Sequence, residues 1–211
     1  VKILFVSDKV VEHLYNQSVT RYRNEIELTI GCGDLPYYYL EYLQSMLDTP
    51  LFYVHGNHDA EQEYLADGTA ISGPAGGINL HGITYKERHL LLAGLEGSIR
   101  YNKSSPFQYT QLQMWLNMAY LIPALYLNKL RYGRYLDILV AHSPPFGIHN
   151  GEDHIHAGFK SFLWFMNKFK PRYLMHGHRH LYNTSEITET RFGETTIMNI
   201  YPYKIVDIEP Q

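Results

Sequence analysis

Five short runs of apolar, largely β-branched residues each end in a polar cluster, and this recurring pattern constrains the fold more than any other feature. Lys2–Val6 leads into Ser7-Asp8, residues 26–30 into Gly31-Cys32-Gly33-Asp34, and residues 51–55 into Gly56-Asn57-His58-Asp59. Residues 136–141 lead into His142, and Tyr173–His176 into Gly177-His178. Short apolar runs bounded by turn formers read as strands buried on both faces. Helix-like spacing over Tyr37–Leu47 and residues 158–168 falls between them, so strand and helix alternate as in an α/β fold. Ligands in such folds bind beyond the carboxyl ends of the strands, where all five polar clusters lie.

The rest of the chain adds to this frame. Residues 72–77, rich in Gly and Pro, read as a loop, followed by short strands at 77–80 and 90–93. The tail reads as three antiparallel strands at 181–190, 194–198 and 204–208, with turns at 191–193 and 201–203. One long helix is expected over 110–130, with Leu112, Trp115, Leu116, Ala119, Tyr120 and Pro123 marking its apolar side and Pro123 kinking or dividing it. A surface helix covering the sheet is the plain interpretation. A homo-oligomer face through residues 110–130, or a lid, is the alternative.

Composition excludes several classes of function. A chain of 211 residues is closer to one domain of about 150 residues than to two, so residues 1–211 are expected to form a single domain. Hydrophobic residues make up 45% and charged residues 18%, which rules out intrinsic disorder. The balance of 18 basic against 21 acidic residues leaves no field to steer a polyanion, so long nucleic acid is not an expected partner. A single cysteine and an N-terminal apolar run limited to residues 3–6 point to a reducing, cytoplasmic setting. No 18-residue apolar stretch runs without polar interruption, so no membrane span is expected.

Histidine is what stands out: there are 12, seven of them between His142 and His180. Buried imidazoles each need hydrogen-bond partners, so packing alone does not call for that density. His178 and His180, two residues apart, leave an extended turn on the same side. With Asp8, Asp34, Asn57 and His142 at the other strand ends, the donors are carboxylate, amide oxygen and imidazole. That mixture suits Mn, Fe or Zn better than Mg or Ca.

In this order the motifs resemble the calcineurin-like metallophosphoesterase superfamily: Asp-x-His, Gly-Asp, Gly-Asn-His-Glu/Asp, a lone His after a strand, and Gly-His-x-His. Here they stand as Asp8-Lys9-Val10, Gly33-Asp34, Gly56-Asn57-His58-Asp59, His142 and Gly177-His178-Arg179-His180, and the resemblance spans residues 1 to about 209. It implies a four-layer α/β/β/α sandwich with two mixed sheets and a site for two divalent or mixed-valence metal ions. Asp34 would bridge them; Asp8 and His180 would bind one, and Asn57, His142 and His178 the other. His58 would contact the substrate phosphate and assist the leaving group, with Asn57 beside it and Asp59 orienting its ring. The implied activity is hydrolysis of a small phosphate ester by in-line attack of a metal-bound hydroxide. A compact chain leaves little room for a cap domain, which favours a diester slightly over a monoester.

The first motif departs from the pattern, because Val10 stands where most families carry a histidine ligand. Purple acid phosphatases also lack it and supply a tyrosinate in Gly-Asp-x-x-Tyr, to which Gly33-Asp34-Leu35-Pro36-Tyr37 is similar. Tyr37 is therefore expected to bind metal, with His13 or water as alternatives. The segment after His142 is expected to rim the cleft. It resembles bacterial cytoplasmic phosphoesterases in which His-x-Gly opens a helix, and this nominates His156 as a substrate contact, with His149 and His154 weaker candidates. The Gly-bounded turn from Gly94 through Asn102 reads as a plain turn, with a place at the same cleft as the alternative, and Cys32 as a packing residue. A non-catalytic interaction scaffold on the same fold, as in retromer-type subunits, is the competing function that the loss at Val10 keeps open.

Overall fold

The computed structural model describes residues 1–181, 183 and 186–209. In chain order its strands are β1 (Lys2–Val6), β2 (Leu28–Gly31), β3 (Leu51–Tyr53), β4 (Glu63–Tyr64), β5 (Ala70–Ile71), β6 (Gly77–Asn79), β7 (Thr84–Glu87), β8 (Leu90–Leu95), β9 (Ser98–Ile99), β10 (Gln108–Tyr109), β11 (Ile138–Ala141), β12 (Tyr173–His176), β13 (Glu189–Phe192), β14 (Thr195–Asn199) and β15 (Tyr203–Asp207). The helices are α1 (Tyr37–Leu47), α2 (Gln111–Tyr132) and α3 (Lys160–Phe169), with a 3-10 turn at Gln17–Tyr22.

Two mixed sheets carry the core. One has the order β15-β1-β2-β3-β6, parallel except for β15, and the other β13-β14-β12-β11-β8-β7, parallel except for its two outer strands. Strand side chains alternate between faces, and the burial pattern follows that alternation into three apolar layers. Ile3, Phe5 and Ile30 meet Leu90, Leu92, Ile138 and Val140 between the sheets. Leu4, Val6 and Leu51 face Leu40, Leu43 and Leu47 of α1 on one outside. Leu91, Ala93 and Leu139 face Met114, Met118 and Leu121 of α2 and Phe162 and Phe165 of α3 on the other. The result is the α/β/β/α sandwich, with the carboxyl ends of β1, β2, β3, β11 and β12 brought together.

Several expectations change. Helix α2, closed at its start by a Thr110/Gln113 capping box and at its end by Gly133 in the left-handed region, runs unbroken through Pro123. Pro123 and Ala119 are both exposed, so the carbonyl that loses its N–H partner faces water. The buried face of α2 is Met114, Met118, Leu121 and Leu125, not the predicted Leu112, Leu116 and Tyr120, which are exposed. The predicted strand at 181–190 reduces to Glu189–Phe192, with residues 182, 184 and 185 outside the described set, and Arg191 and Phe192 belong to the strand rather than to the turn. The tail is not one antiparallel unit: β14 runs parallel to β12, while β15 crosses to pair with β1 in the other sheet. No helix among the described residues is long and apolar enough to cross a membrane.

Candidate metal centre

Sharp turns follow three of the strands at acidic or imidazole residues. Asp8, Asp34 and His178 all have positive φ, at 63°, 56° and 65°. Such backbone costs on the order of 1–3 kcal/mol per residue and persists where the surroundings over-determine it. Here they do: a Cβ on Gly56 would overlap the Asp34 carboxylate, and one on Gly177 would overlap Ser7 and Asp8. These two glycines let backbone pack directly against the carboxylates.

Asp34, His142 and His178 each offer a ligand atom within 4.8 Å of one another. Asp34 Oδ1 accepts from the His58 backbone N–H at 2.8 Å, while its Oδ2 lies 3.3 Å from His142 Nε2. His142 Nδ1 donates to the Cys32 carbonyl at 2.8 Å, and its Nε2 lies 3.1 Å from Asn57 Oδ1. Asn57 Nδ2 donates to the Tyr101 hydroxyl at 3.1 Å, which keeps its amide oxygen turned to the cluster. Asp8 accepts from the His178 backbone N–H at 3.0 Å and has His180 Nε2 3.6 Å away, the His180 ring being stacked on Tyr201. The structure thus brings Asp8, Asp34, Asn57, His142, His178 and His180 together.

The electrostatics of this cluster favour a cation. Burial opposes charge on both Asp34 and His142, yet each holds the other ionised, the carboxyl below its ordinary range and the imidazole above. The Asp34 carboxylate set against His142 Nε2 marks a place where the local field favours positive charge. Burial and the neighbouring His142 push His178 down to about 3, so it presents a neutral imidazole, as metal ligation requires. Its Nε2 donates to the Ile155 carbonyl at 3.2 Å, leaving the Nδ1 lone pair free. The donor set therefore fits first-row metal ions. A cleft of about 430 Å³ opens beside it, lined by Asp34, His58, Tyr101, Asp153, Ile155, His156 and the segment His178 to His180.

The model of the calcineurin-like phosphoesterase family matches residues 19–182. The chain belongs to that family. No curated protein matches it significantly by sequence. Among solved structures it is similar to TT1561 of Thermus thermophilus, at 16% identity over 94% of this chain and 88% of that one, with a TM-score of 0.61. It is also similar to GAP50, described as the anchor in the inner membrane complex of Plasmodium, at 14% identity over 94% of this chain and 70% of that one, with a TM-score of 0.53. At these identities the likeness shows the fold, a mixed α/β arrangement of the metallophosphoesterase type.

Against the family pattern, two expected roles need correction. Asp59 does not orient the His58 ring: its carboxylate accepts from the backbone N–H groups of Gly56 at 2.7 Å, Asp34 at 3.1 Å and Leu35 at 3.1 Å. It fastens the β2 loop to the β3 loop, while burial and the adjacent Asp34 raise its pKa. Tyr37 is not directed to the metal cluster. Its buried hydroxyl donates to the Ala60 carbonyl at 3.1 Å and lies 3.1 Å from His55 Nε2, and burial raises its pKa away from the phenolate. As the first residue of α1, it projects back under the β3 loop. His13 is occupied as well, its Nε2 lying 3.1 Å from the Tyr203 hydroxyl.

The remaining candidates divide by side-chain direction. His58 is exposed and borders the cleft. His156 also borders it, with Nδ1 held by the Asp153 carboxylate at 2.7 Å and its ring 4.8 Å from His178. His154, one residue from Asp153, lines a separate pocket with Arg100 and Lys160. His149 turns inward, its Nδ1 3.0 Å from His176 Nε2 and its Nε2 2.9 Å from the Thr190 hydroxyl. The turn after Gly94, for which a place at the cleft is the alternative to a plain turn, supplies Tyr101 to it. It also supplies Glu96, whose buried carboxylate joins His55 at 3.1 Å and the Tyr109 hydroxyl at 2.6 Å. An acidic residue between two glycines after an apolar run was the only sequence signal for that network.

Proposed function

We propose that the chain hydrolyses a small phosphate ester using two metal ions held at the strand ends. Asp34 would stand between the two ions, with Asp8 and His180 available to hold one and Asn57, His142 and His178 the other. Bound ions supply Lewis-acid charge to the phosphoryl oxygens and a water nucleophile deprotonated near neutral pH, the role expected of Mn, Fe or Zn. The chain's own residues do the rest. His58, anchored through its N–H on Asp34, presents its imidazole at the cleft rim and delivers a proton to the leaving oxygen. Asp153 fixes the His156 ring at the cleft edge by accepting from its Nδ1–H, and with Nε2 protonated as well the ring would donate to a phosphoryl oxygen. Tyr101 keeps the Asn57 oxygen aimed inward.

The observation that carries this proposal is the convergence of Asp34, His142 and His178 within 4.8 Å in a chain of this family. A cleft whose rim residue His58 is exposed leaves room for a second ester substituent, which supports a diester over a monoester. One specific observation favours a second reading, a non-catalytic interaction scaffold. With Val10 at the first motif, and Tyr37 and His13 both occupied elsewhere, the Asp8–His180 side has one protein donor fewer. Metal content after Mn or Fe supplementation, with turnover of bis-p-nitrophenyl phosphate and p-nitrophenyl phosphate, separates the two. Two metals per chain and faster diester cleavage are expected. Well under one metal per chain and no turnover would establish the scaffold.

A further inference from the structure

Helix α2 has a second apolar face. Leu112, Leu116, Ala119, Tyr120, Pro123, Tyr126, Leu127 and Leu130 are all exposed, with Leu112 at 69%, Tyr120 at 76% and Leu130 at 84%. At 100° per residue these eight fall within an arc of about 120°, and at 1.5 Å per residue the stripe is roughly 27 Å long. The opposite side is already used, by Met114, Met118, Leu121 and Leu125 against the β8–β11 sheet. A helix that is apolar on both sides is a buried helix, so its outer face needs a cover.

We propose that this stripe is the self-complementary interface of a homodimer, in which α2 packs antiparallel against α2 of a second copy across a two-fold axis. Area supports that occupant. The six Leu and Tyr residues of the stripe leave on the order of 800 Å² exposed, the amount per partner that a specific interface buries. Charge supports it too. The helix contains no acidic residue, and the stripe itself contains no charged residue that pairing would leave buried and unpaired. Lys129 and Arg131 lie at the C-terminal end, so an antiparallel pair keeps the two copies' cations at opposite ends and sets the helix dipoles head to tail. A lipid surface would be served by cations along the whole rim of the stripe, and the helix's own cations, Lys129 and Arg131, stand in its last turn only.

The antiparallel arrangement fixes which residues meet. Leu112 and Leu116 of one copy lie against Leu127 and Leu130 of the other, while Ala119, Tyr120 and Pro123 sit near the axis, where the small Ala119 permits close approach of the backbones.

Sedimentation velocity on the whole chain between about 1 and 100 µM, with light scattering for mass, tests the proposal. A dimer is expected at micromolar concentration. The double variant Leu116→Glu/Leu127→Glu should raise its dissociation constant at least about 100-fold, with the circular dichroism spectrum and melting profile of a folded chain retained. Ala119→Cys should oxidise to a covalent dimer while Leu112→Cys does not, and Cys32, being buried, adds no background. A monomer throughout the range, or a dimer indifferent to the double variant, would overturn the proposal. So would a monomer that cosediments with phosphatidylcholine vesicles, which would assign the stripe to a lipid surface. Cross-linking through Leu112→Cys but not Ala119→Cys would refute the antiparallel geometry.

Discussion

His142 Nδ1 donates to the Cys32 carbonyl oxygen at 2.8 Å, and this one bond joins the end of β11 in one sheet to the end of β2 in the other. It also decides the chemistry of the ring. With Nδ1 committed as a donor, Nε2 is the atom turned to Asp34 and Asn57, the orientation a metal ligand needs. The buried Cys32 thiol, its pKa raised by burial, takes no part; its backbone does.

His58→Ala should lower turnover by about 10²–10⁴-fold, the scale of a positioned acid or base, while metal content stays near that of the parent. His142→Ala should instead lose metal. Steady-state kinetics and elemental analysis on both variants check this, and loss of metal from His58→Ala would contradict the role assigned to it.

Tyr37→Phe should leave metal content and any iron-dependent colour unchanged, because the hydroxyl serves His55 and Ala60 instead of the cluster. Stability should fall by about 1 kcal/mol, the ordinary worth of a buried hydrogen bond. Urea unfolding measures the second effect. A colour change on substitution would restore Tyr37 as a ligand.

Tyr101→Phe removes the partner of Asn57 Nδ2 and frees the amide to rotate. Metal affinity should drop about 10-fold, the lower end of the range for groups that orient ligands. Manganese titration by calorimetry tests this, and unchanged affinity would show that Asn57 is held by other contacts.

His149→Gln should flatten the dependence of stability on pH. Burial, helped by Lys204, lowers the folded His149 to about 4 from an ordinary value of 6.5. Between those values the unfolded chain binds the extra proton and the folded chain does not, so the parent loses stability as pH falls from 6.5 toward 4. Unfolding midpoints measured at about pH 7 and about pH 5 should differ less in the variant than in the parent.

Local sequence determined the elements and which candidate side chains stand at the strand ends. β1, α1 and β12 lie where their runs of residues indicate, because strand and helix periodicity are properties of neighbouring residues. Asp8, Asp34, Asn57, His142, His178 and His180 were legible for the same reason: each closely follows a strand, and parallel strands deliver their carboxyl ends to one edge. Tertiary structure decided the rest. Asp59 and Tyr37 have their hydrogen-bond partners in distant segments, so spacing could place them near the site but not choose what they touch. Tyr101 enters the cleft through a turn with no motif of its own. The β15 strand had the right pattern for either sheet, and only the open edge of β1 selected it. On α2 two apolar stripes compete for the core. Local periodicity scores both, and the choice falls to the face whose methionines and leucines fit against β8 and β11, because burial depends on what packs across the layer and not on the helix itself.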